Sequence, residues 1–312
     1  MNTKVSKGKM SGAIDLVSGF LLLDKPAGIS SFKSIGPVKH LFRGRKVGFA
    51  GTLDPDASGL LLLGIGEATK LLRFVEDMPK IYQFTVKPGI VTDSYDAAGT
   101  VISEKKDCIV AQDKVVEALK CFIGEIQQVP PVYSALKIQG KRACDRARAG
   151  EKLIMKARKT TVYSLELLEW LPDAWKLEVK CSRGTYVRSL AHDLGQNLGC
   201  GAIATEIRRT AIGSFDLENA VNDINQDVKD KLLLPDVAVA YLPMVHVPPE
   251  EYSVVSNGGQ TKNYLTDDSL SEGDSVRIYN TPGNFLGIGE IKADGFLQPK
   301  KMLQISGECQ LV

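Results

Sequence analysis

The sequence lacks the residues from which zinc sites are usually built. Only three of its 312 residues are histidine and six are cysteine, all of them scattered, and no C-x-x-C pair occurs. Zinc sites draw their ligands from cysteines and histidines at short, regular spacings. We therefore expect no metal ion, and free thiols in a reducing cytosol rather than disulfide bonds.

Long apolar runs and a signal peptide are missing too. The longest apolar run, residues 59–65, has the length of a strand, whereas a helix that crosses a bilayer needs roughly 18 apolar residues. The lysines near the N-terminus are followed by an apolar stretch that contains Asp15, so we predict no secretory signal. We expect a cytoplasmic protein with no membrane partner.

A strong charge imbalance is absent, because the formal net charge is only +2. Basic residues nevertheless concentrate in residues 137–159, where nine lysines and arginines stand against two acidic residues. Such a cluster can neutralise a nucleic-acid backbone even when the whole chain is nearly balanced. A solvated helix face with a flanking loop explains the same pattern, and composition alone does not choose between the two.

The pattern of apolar residues predicts both strands and helices. Residues 81–86 and 175–181 alternate as half-buried strands do, while 19–23 and 60–63 are continuous apolar runs typical of central strands. Helical periodicity appears in three further segments, namely 68–75, 113–122 with Asp113 as N-cap, and 187–198 with Gly199 at its end. This irregular order predicts an α+β fold with a mostly antiparallel central sheet and flanking helices.

The composition changes after about Pro243. Short predicted strands at 275–279 and 285–291 are then separated by turn clusters rich in glycine, proline and asparagine. We predict a main domain over residues 1–245 and a small β-rich domain over residues 246–312.

The most unusual segment is residues 46–59, which contains three glycines, Pro55 and Asp54 between apolar stretches. The backbone must turn tightly there while it presents the Asp54 carboxylate, as loops that carry functional carboxylates do. An ordinary turn or cap aspartate is the alternative. The segment also has the spacing of a D-x-D phosphatase loop, but no buried apolar strand precedes it and no convincing acidic pair follows.

Residues 46–59 resemble the catalytic motif of the bacterial tRNA pseudouridine-55 synthases (the TruB family), K-V-G-H-T-G-T-L-D-P-x-A-[ST]-G. Further stretches resemble the other motifs of that family in the same order: residues 23–31, Tyr82 with 92–99, 130–142 and 183–190. The chain departs from the family pattern at Phe49 and Ala50, where the family has His-Thr, and at Cys144-Asp145, where Tyr-Glu is common. Phe49 keeps a flat ring but has no hydrogen-bond donor.

The resemblance implies an isomerase that converts uridine to pseudouridine without metal or other cofactor. Asp54 would be the nucleophile, at C6 of the base or C1′ of the ribose, with both routes open. Arg188 would pair with that carboxylate and keep it ionised. Tyr82 would stack on the flipped base and assist removal of the C5 proton. Purely structural interpretations stay open, since Arg188 could only cap a neighbouring carboxylate and Tyr82 could be a core residue.

The resemblance also implies a set of substrate contacts: Lys25, Phe49, Asp96, Lys137, Arg142, Arg146, Arg148 and Ile207. Asp96 could instead be a simple turn residue. In the family, an insertion corresponding to residues 130–160 closes over the RNA loop, so Lys141 and the three arginines are candidates for phosphate contacts. The C-terminal domain resembles, more loosely, the PUA-type RNA-binding domain. The expected partner is the T-arm stem-loop of tRNA, bound by a monomer.

Two alternatives to this function stay open at the level of sequence. The first is an RNA-guided type of pseudouridine synthase, whose long basic C-terminal tail is missing from this sequence. The second is a tRNA-folding chaperone with little turnover, a role that can coexist with catalysis.

Overall fold

The computed structural model describes residues 17–105, 108–262, 270–293 and 295–304. The chain divides into two compact units, Phe20–Tyr241 and a smaller one that contains the chain from Leu242 onwards. The second unit thus begins four residues before His246, the expected start of the C-terminal domain. Within the described ranges, no helix has both the length and the apolar character that crossing a bilayer takes.

Thirteen strands are described up to residue 216: β1 (Gly19–Lys25), β2 (Val47–Ala50), β3 (Ser58–Ile65), β4 (Lys80–Pro88), β5 (Ile90–Thr92), β6 (Val101–Glu104), β7 (Gly124–Gln128), β8 (Lys137–Ile138), β9 (Lys141–Arg142), β10 (Arg158–Leu171), β11 (Ala174–Cys181), β12 (Ala202–Ile212) and β13 (Phe215–Asp216). Nine of them form one sheet in the order β1-β3-β12-β4-β11-β10-β7, with β2 paired to β3 and β13 to β12. Strands β4, β11, β10 and β7 pair antiparallel, whereas β12 is parallel to β3. The predicted α+β fold with a mostly antiparallel sheet is confirmed.

The helices of the first unit are short: α1 (Ser31–Ser34), α2 (Gly36–Leu41), α3 (Leu72–Glu76), α4 (Gln112–Lys120), α5 (Ala143–Arg148) and α6 (Val187–Asn197). Three 3-10 helices accompany them, at Gly66–Leu71, Gln226–Lys231 and Pro235–Val239. The predicted helical segment at 68–75 is therefore a 3-10 turn that continues into α3.

Helix α6 and strand β11 show why the sequence pattern predicts this core. Alternate residues of β11 from Trp175 to Cys181 are buried, and the residues between them are more accessible. Val187, Leu190 and Leu194 of α6 are buried in the same apolar cluster, as the helical stripe predicted. Burial of this stripe fixes α6 against the sheet, and with it the direction of Arg188 at the start of the helix.

Two predictions about individual elements were wrong. Strand β1 ends the sheet order instead of lying inside it. Its open edge is covered by later chain, through bridges from Phe20 to Leu233 and from Leu23 to Val221, which explains how a terminal strand can be fully apolar. Asp113 does not cap α4, because the N-cap is Ala111 and Asp113 lies in the first turn. A carboxylate is favourable there beside the positive end of the helix dipole.

The second unit contains a four-stranded sheet in the order β14 (Met244–Val247), β15 (Ser275–Asn280), β16 (Phe285–Ile291) and β17 (Leu297–Met302). Strand β14 is parallel to β15, and the remaining neighbours are antiparallel. A short 3-10 helix, Pro249–Glu251, leads into α7 (Tyr252–Ser256). The core of this unit is a separate apolar cluster that includes Val245, Val255, Ile278 and Leu297.

Candidate active site

Asp54 lies in the loop between β2 and β3. Gly51 begins this loop with a φ of 68°, a left-handed conformation that glycine adopts at little cost. The Ser31 hydroxyl accepts a hydrogen bond from the Leu53 backbone N and donates one to the Leu53 carbonyl, both at 2.9 Å. The loop is therefore held from the side of α1, directly before Asp54.

Arg188 binds Asp54 from the first turn of α6. Its side chain is only 4% exposed, and Nε lies 2.9 Å from Asp54 Oδ2. The same guanidinium reaches Asp96 Oδ2 at 3.1 Å and the carbonyl oxygens of Ser94 and Tyr133 at 3.0 and 2.9 Å. All three nitrogens are thus engaged, so the position of the guanidinium beside Asp54 is fixed by four acceptors.

The acidity of Asp54 results from opposing effects. Burial raises the pKa of Asp54 above its usual value, Arg188 lowers it, and the neighbouring Asp96 carboxylate raises it again. The side chain remains 44% exposed, because the carboxylate faces open cavities while protein atoms enclose its other sides. Arg188 therefore offsets only part of the cost of holding this carboxylate ionised.

Two cavities meet at Asp54. The first cavity has a volume of about 550 Å³ and the second about 540 Å³, and Asp54, Ala57, Arg188 and Ile207 line both. Other residues of the first cavity are Asp56, Asp93, Ser94, Asp96, Tyr133, Arg148 and Glu206. Other residues of the second are Gly51, Thr52, Lys80, Tyr82, Arg158, Lys159, Arg183, Thr185 and Arg209. The carboxylate is thus reachable from either side of a shared wall.

Tyr82 and Arg209 face each other from neighbouring strands in the second cavity. The two residues are partners in the pairing of β4 with β12, and the Arg209 guanidinium lies 6.0 Å from the Tyr82 ring centroid. Burial raises the pKa of Tyr82, which Arg209 partly offsets, so the phenol is protonated at neutral pH. Arg209, 1% exposed, also donates to the carbonyls of Leu60 at 2.7 Å and Gly51 at 3.0 Å. One arginine therefore joins Tyr82 to the start of the Asp54 loop.

Ile207 reaches the shared wall through an irregularity in β12. Between Thr205 and Arg208 the pairing with β4 contains one extra residue, and Glu206 has a left-handed φ of 51°. A bulge of this kind re-aims the side chains beside it. Residues 204–207 around this irregularity all line the first cavity, and Ile207 lines the second as well.

Lys25 and Phe49 do not line either cavity. Lys25 is fully buried, and its ammonium donates to the carbonyls of Pro26, Ile29 and Pro55. Burial also lowers the pKa of Lys25. Lys25 thus holds the Asp54 loop through its hydrogen bond to the Pro55 carbonyl. Phe49 is half-buried in β2, opposite Leu63. Direct contact of either side chain with a substrate stays a prediction.

The basic residues predicted to contact RNA differ in their surroundings. Lys137 is exposed in the β8–β9 hairpin. Arg142 pairs with Asp145 at 2.9 Å, and Arg146 pairs with Glu151 at 2.6 Å. Among these residues, Arg148 is the one that lines a cavity next to Asp54.

Sequence reasoning assigned no role to Arg209 or Tyr133. Tyr133 is part of a family-like motif, yet its contribution is a backbone carbonyl that accepts from Arg188. Arg209 lies in β12, a strand that was not predicted from the sequence, so no pattern of apolar residues drew attention to its inward-facing charge. Asp96 accepts from Ser94 Oγ and the Ala98 backbone N as well as from Arg188, so it both shapes its turn and orients the arginine. In the described part of the chain, no group of three or more histidine, cysteine, aspartate or glutamate residues is arranged to hold a metal ion.

Comparison with known proteins covers nearly the whole described chain. Residues 39–187 match the TruB family pseudouridylate synthase N-terminal domain, residues 188–242 the tRNA pseudouridylate synthase B C-terminal domain, and residues 243–303 the C-terminal domain of pseudouridine synthase II TruB. The tRNA pseudouridine synthase B of Azoarcus sp. (strain BH72) is 41% identical over 92% of this chain and 95% of its own length. That of Aquifex aeolicus (strain VF5) is 42% identical over 92% of this chain and 100% of its own length.

A solved structure shares the fold at lower identity. A chain in the structure of an H/ACA RNP bound to a substrate RNA containing 2'-deoxyuridine superposes with a TM-score of 0.71. It is 23% identical, and the match covers 92% of this chain and 85% of that one. At this identity the likeness is one of fold alone.

Proposed function

The chain belongs to the TruB family of pseudouridylate synthases, and from this premise we propose that it isomerises the conserved uridine 55 in the T-loop of tRNA, with Asp54 as the nucleophile. The contact that carries the proposal is Arg188 Nε to Asp54 Oδ2 at 2.9 Å, at the wall shared by two open cavities. A carboxylate held by a buried guanidinium and open to solvent on one side can attack an electrophilic carbon.

The reaction breaks the N1–C1′ bond, forms a C5–C1′ bond, moves the C5 proton off the ring and leaves a proton on N1. Asp54 adds to C6 or to C1′ and is released when the new bond is complete. The atoms balance without any oxidant, reductant or metal ion. Arg188 stabilises the carboxylate whenever it is free, before attack and after release.

Tyr82 is proposed to stack against the uracil ring in the second cavity, because an extruded base loses its stacking neighbours and an aromatic ring replaces them. Its phenol, protonated at neutral pH, lies on the same side as Asp54. We propose that it also relays the C5 proton, passing its own proton to water as it accepts that one, so that the phenol ends the step protonated as it began. Arg209, whose guanidinium lies 6.0 Å from the ring centroid, helps to hold the ring in position.

The RNA is proposed to be the T-arm stem-loop, bound by a monomer in the cytoplasm, where tRNA is found. Residues 130–160 would close over the loop as a lid does. The second unit, with its four-stranded sheet, would act as a PUA-like RNA-binding domain.

A direct assay tests the proposal. Purified protein is incubated with unmodified tRNA transcript in the presence of EDTA, and pseudouridine is mapped by carbodiimide-dependent reverse-transcription stops. We expect one stop at the T-loop uridine, absent for Asp54→Asn while RNA binding is retained. Absence of product from wild type would contradict the cofactor-free mechanism, and a stop elsewhere would contradict the assigned position.

This assay, together with a measurement of tRNA folding in the presence of wild type or Asp54→Asn, separates the alternatives. Activity on tRNA with no added guide RNA contradicts an RNA-guided mechanism. If Asp54→Asn restores tRNA folding as fully as wild type does, a chaperone role exists beside catalysis. If wild type folds tRNA but forms no pseudouridine, the chaperone role replaces the proposed one.

A further inference from the structure

The two cavities lie on either side of Asp54 and together form a path for an RNA strand. Asp54, Ala57, Arg188 and Ile207 form the wall between them. A nucleotide presented to Asp54 carries one backbone phosphate on its 5′ side and one on its 3′ side. A strand that enters by one cavity and leaves by the other therefore places one phosphate in each.

Several cations of the second cavity and of the basic segment are already neutralised by carboxylates of the protein. The ion pairs are Arg142 with Asp145, Arg146 with Glu151, Lys159 with Glu125, and Arg183 with Asp77. A paired cation gains less from a phosphate, because it must first give up its own carboxylate.

Arg148 and Arg158 differ from these residues. Both are exposed, and within the described residues neither makes an ion pair or a side-chain hydrogen bond. Arg148 is the last residue of α5 and lines the first cavity, whereas Arg158 is the first residue of β10 and lines the second. Two uncompensated guanidinium groups thus stand on opposite sides of Asp54.

We infer that Arg148 and Arg158 bind the two phosphates that flank the target nucleotide, one from each cavity. This inference rests on the proposed function, because it assumes an RNA strand with its target nucleotide at Asp54. It assigns the binding contribution of the basic segment to its two unpaired arginines and not to Arg142 or Arg146. A planar guanidinium suits this task, since it donates two parallel hydrogen bonds to one phosphate.

The two cavities differ in charge, which makes the two arginines unequal. Asp54, Asp56, Asp93, Asp96 and Glu206 line the first cavity, where the cations are Arg148 and Arg188. Arg188 is already engaged with four acceptors, so a phosphate there depends on Arg148. The second cavity is lined by the acidic residues Asp54 and Glu76 but adds Lys80, Lys159, Arg183 and Arg209 to Arg158. We therefore expect Arg148→Ala to weaken RNA binding more than Arg158→Ala.

The first test measures the salt dependence of binding of a T-arm stem-loop RNA, using full-length protein with Asp54→Asn so that no turnover occurs. Each arginine that contacts a phosphate contributes about 0.7 to 0.9 to the slope of log K against log salt. Arg148→Ala and Arg158→Ala should each reduce the slope by about this amount. Arg142→Ala tests whether an ion-paired arginine of the same segment takes part in phosphate binding. Lys120→Ala is the control and should keep the parent slope, because Lys120 is an exposed cation that pairs with Glu117 at 2.6 Å and lines neither cavity.

The second test identifies the phosphates. A neutral methylphosphonate replaces the phosphate on the 5′ or the 3′ side of the target uridine, one at a time. Arg148→Ala should become insensitive to one replacement and Arg158→Ala to the other, while the protein with both arginines loses affinity with each.

The outcomes separate this inference from the function on which it rests. If wild type forms pseudouridine but both arginine variants keep the parent slope, the phosphate contacts are wrong and the function stands. A slope that falls equally for Arg142→Ala would also overturn the inference. If wild type forms no pseudouridine but the methylphosphonate pattern appears, the contacts stand and the function fails.

Discussion

The Arg188 guanidinium binds the Asp54 carboxylate through Nε, at 2.9 Å, and leaves its two terminal nitrogens for other acceptors. Because those nitrogens are held by Ser94, Tyr133 and Asp96, the arginine is oriented independently of its contact with Asp54. In the proposed mechanism, the charge beside the carboxylate is therefore in place before Asp54 attacks, and it is still there when Asp54 is released.

Replacing Arg188 with lysine should separate charge from geometry. A single ammonium group cannot reach four acceptors arranged around a planar fork, so its charge will be displaced from Asp54. We expect kcat for pseudouridine formation to fall by about 10²-fold, as for other misplaced groups. Single-turnover assays measure this directly, alongside the dissociation constant for RNA, which should change little.

Arg208→Lys is the matched control for that substitution. Arg208 binds both oxygens of Asp24, at 3.1 and 2.7 Å, and lines neither cavity. It should retain nearly full kcat. A similar loss for Arg208→Lys would mean that the effect at Arg188 reflects general destabilisation.

Asp96→Asn should move the acid limb of the pH profile. The Asp96 carboxylate raises the pKa of Asp54 and also shares Arg188 with it. Removal of this charge lowers the pKa of Asp54 on both accounts. Because the ionised Asp54 carboxylate is the nucleophile in the proposed mechanism, activity should persist to lower pH. The profile of log(kcat/KM) against pH tests this, and a shift of the acid limb towards higher pH would contradict it.

Arg209→Met should destabilise the protein far more than Arg208→Met, although the two residues are neighbours. Arg209 is buried, and the carbonyls of Leu60 and Gly51 lose their donor, at a cost of about 1 to 3 kcal/mol each. Arg208 makes a partly exposed ion pair, whose loss costs about 1 kcal/mol or less. Urea unfolding measures both. Equal losses would show that Arg209 does not hold the loop.

Gly59→Ala should be much more damaging than Gly28→Ala. Both glycines have a positive φ, so alanine is strained at each by about 1 to 2 kcal/mol. At Gly28 the added carbon meets no atom within 4 Å, but at Gly59 it would lie 2.2 Å from the Arg209 carbonyl oxygen. Strands β3 and β12 must separate to admit it. Thermal unfolding of the two variants gives the comparison, and equal midpoints would contradict the close strand contact.

The elements that can be predicted from the sequence are those in which burial of one face gives the apolar residues a regular spacing. The stripe of α6 and the alternation of β11 are visible because every apolar position faces one core. The position of β1 does not follow in this way. Its apolar run indicates that the strand is buried. It does not indicate whether a neighbouring strand or a later, irregular segment covers the edge of the strand.

The candidate site likewise contains some residues that were predicted from the sequence and others that were not. The local segment indicated Asp54, but its pairing with Arg188 was predicted through the family resemblance, because no local pattern relates residues so far apart in the chain. Arg209 was not predicted, because its partners are the backbone carbonyls of Leu60 and Gly51. Every residue has such a carbonyl, so the sequence does not show which ones bind an arginine. The bulge at Glu206 and Ile207 likewise has no residue signal, since neither is the glycine that a left-handed position favours.

The extra residue in β12 has a consequence for how the protein can evolve. Deletion of Glu206 would keep Arg208 opposite Gln83 and Arg209 opposite Tyr82, since one residue too many now lies before them. It would also remove a strained backbone position, so the shortened strand should be the more stable one. The cost would fall on the first cavity, which would lose the Glu206 carboxylate from its lining next to Ile207. Selection for thermal stability alone would therefore favour a protein that is more stable but less active.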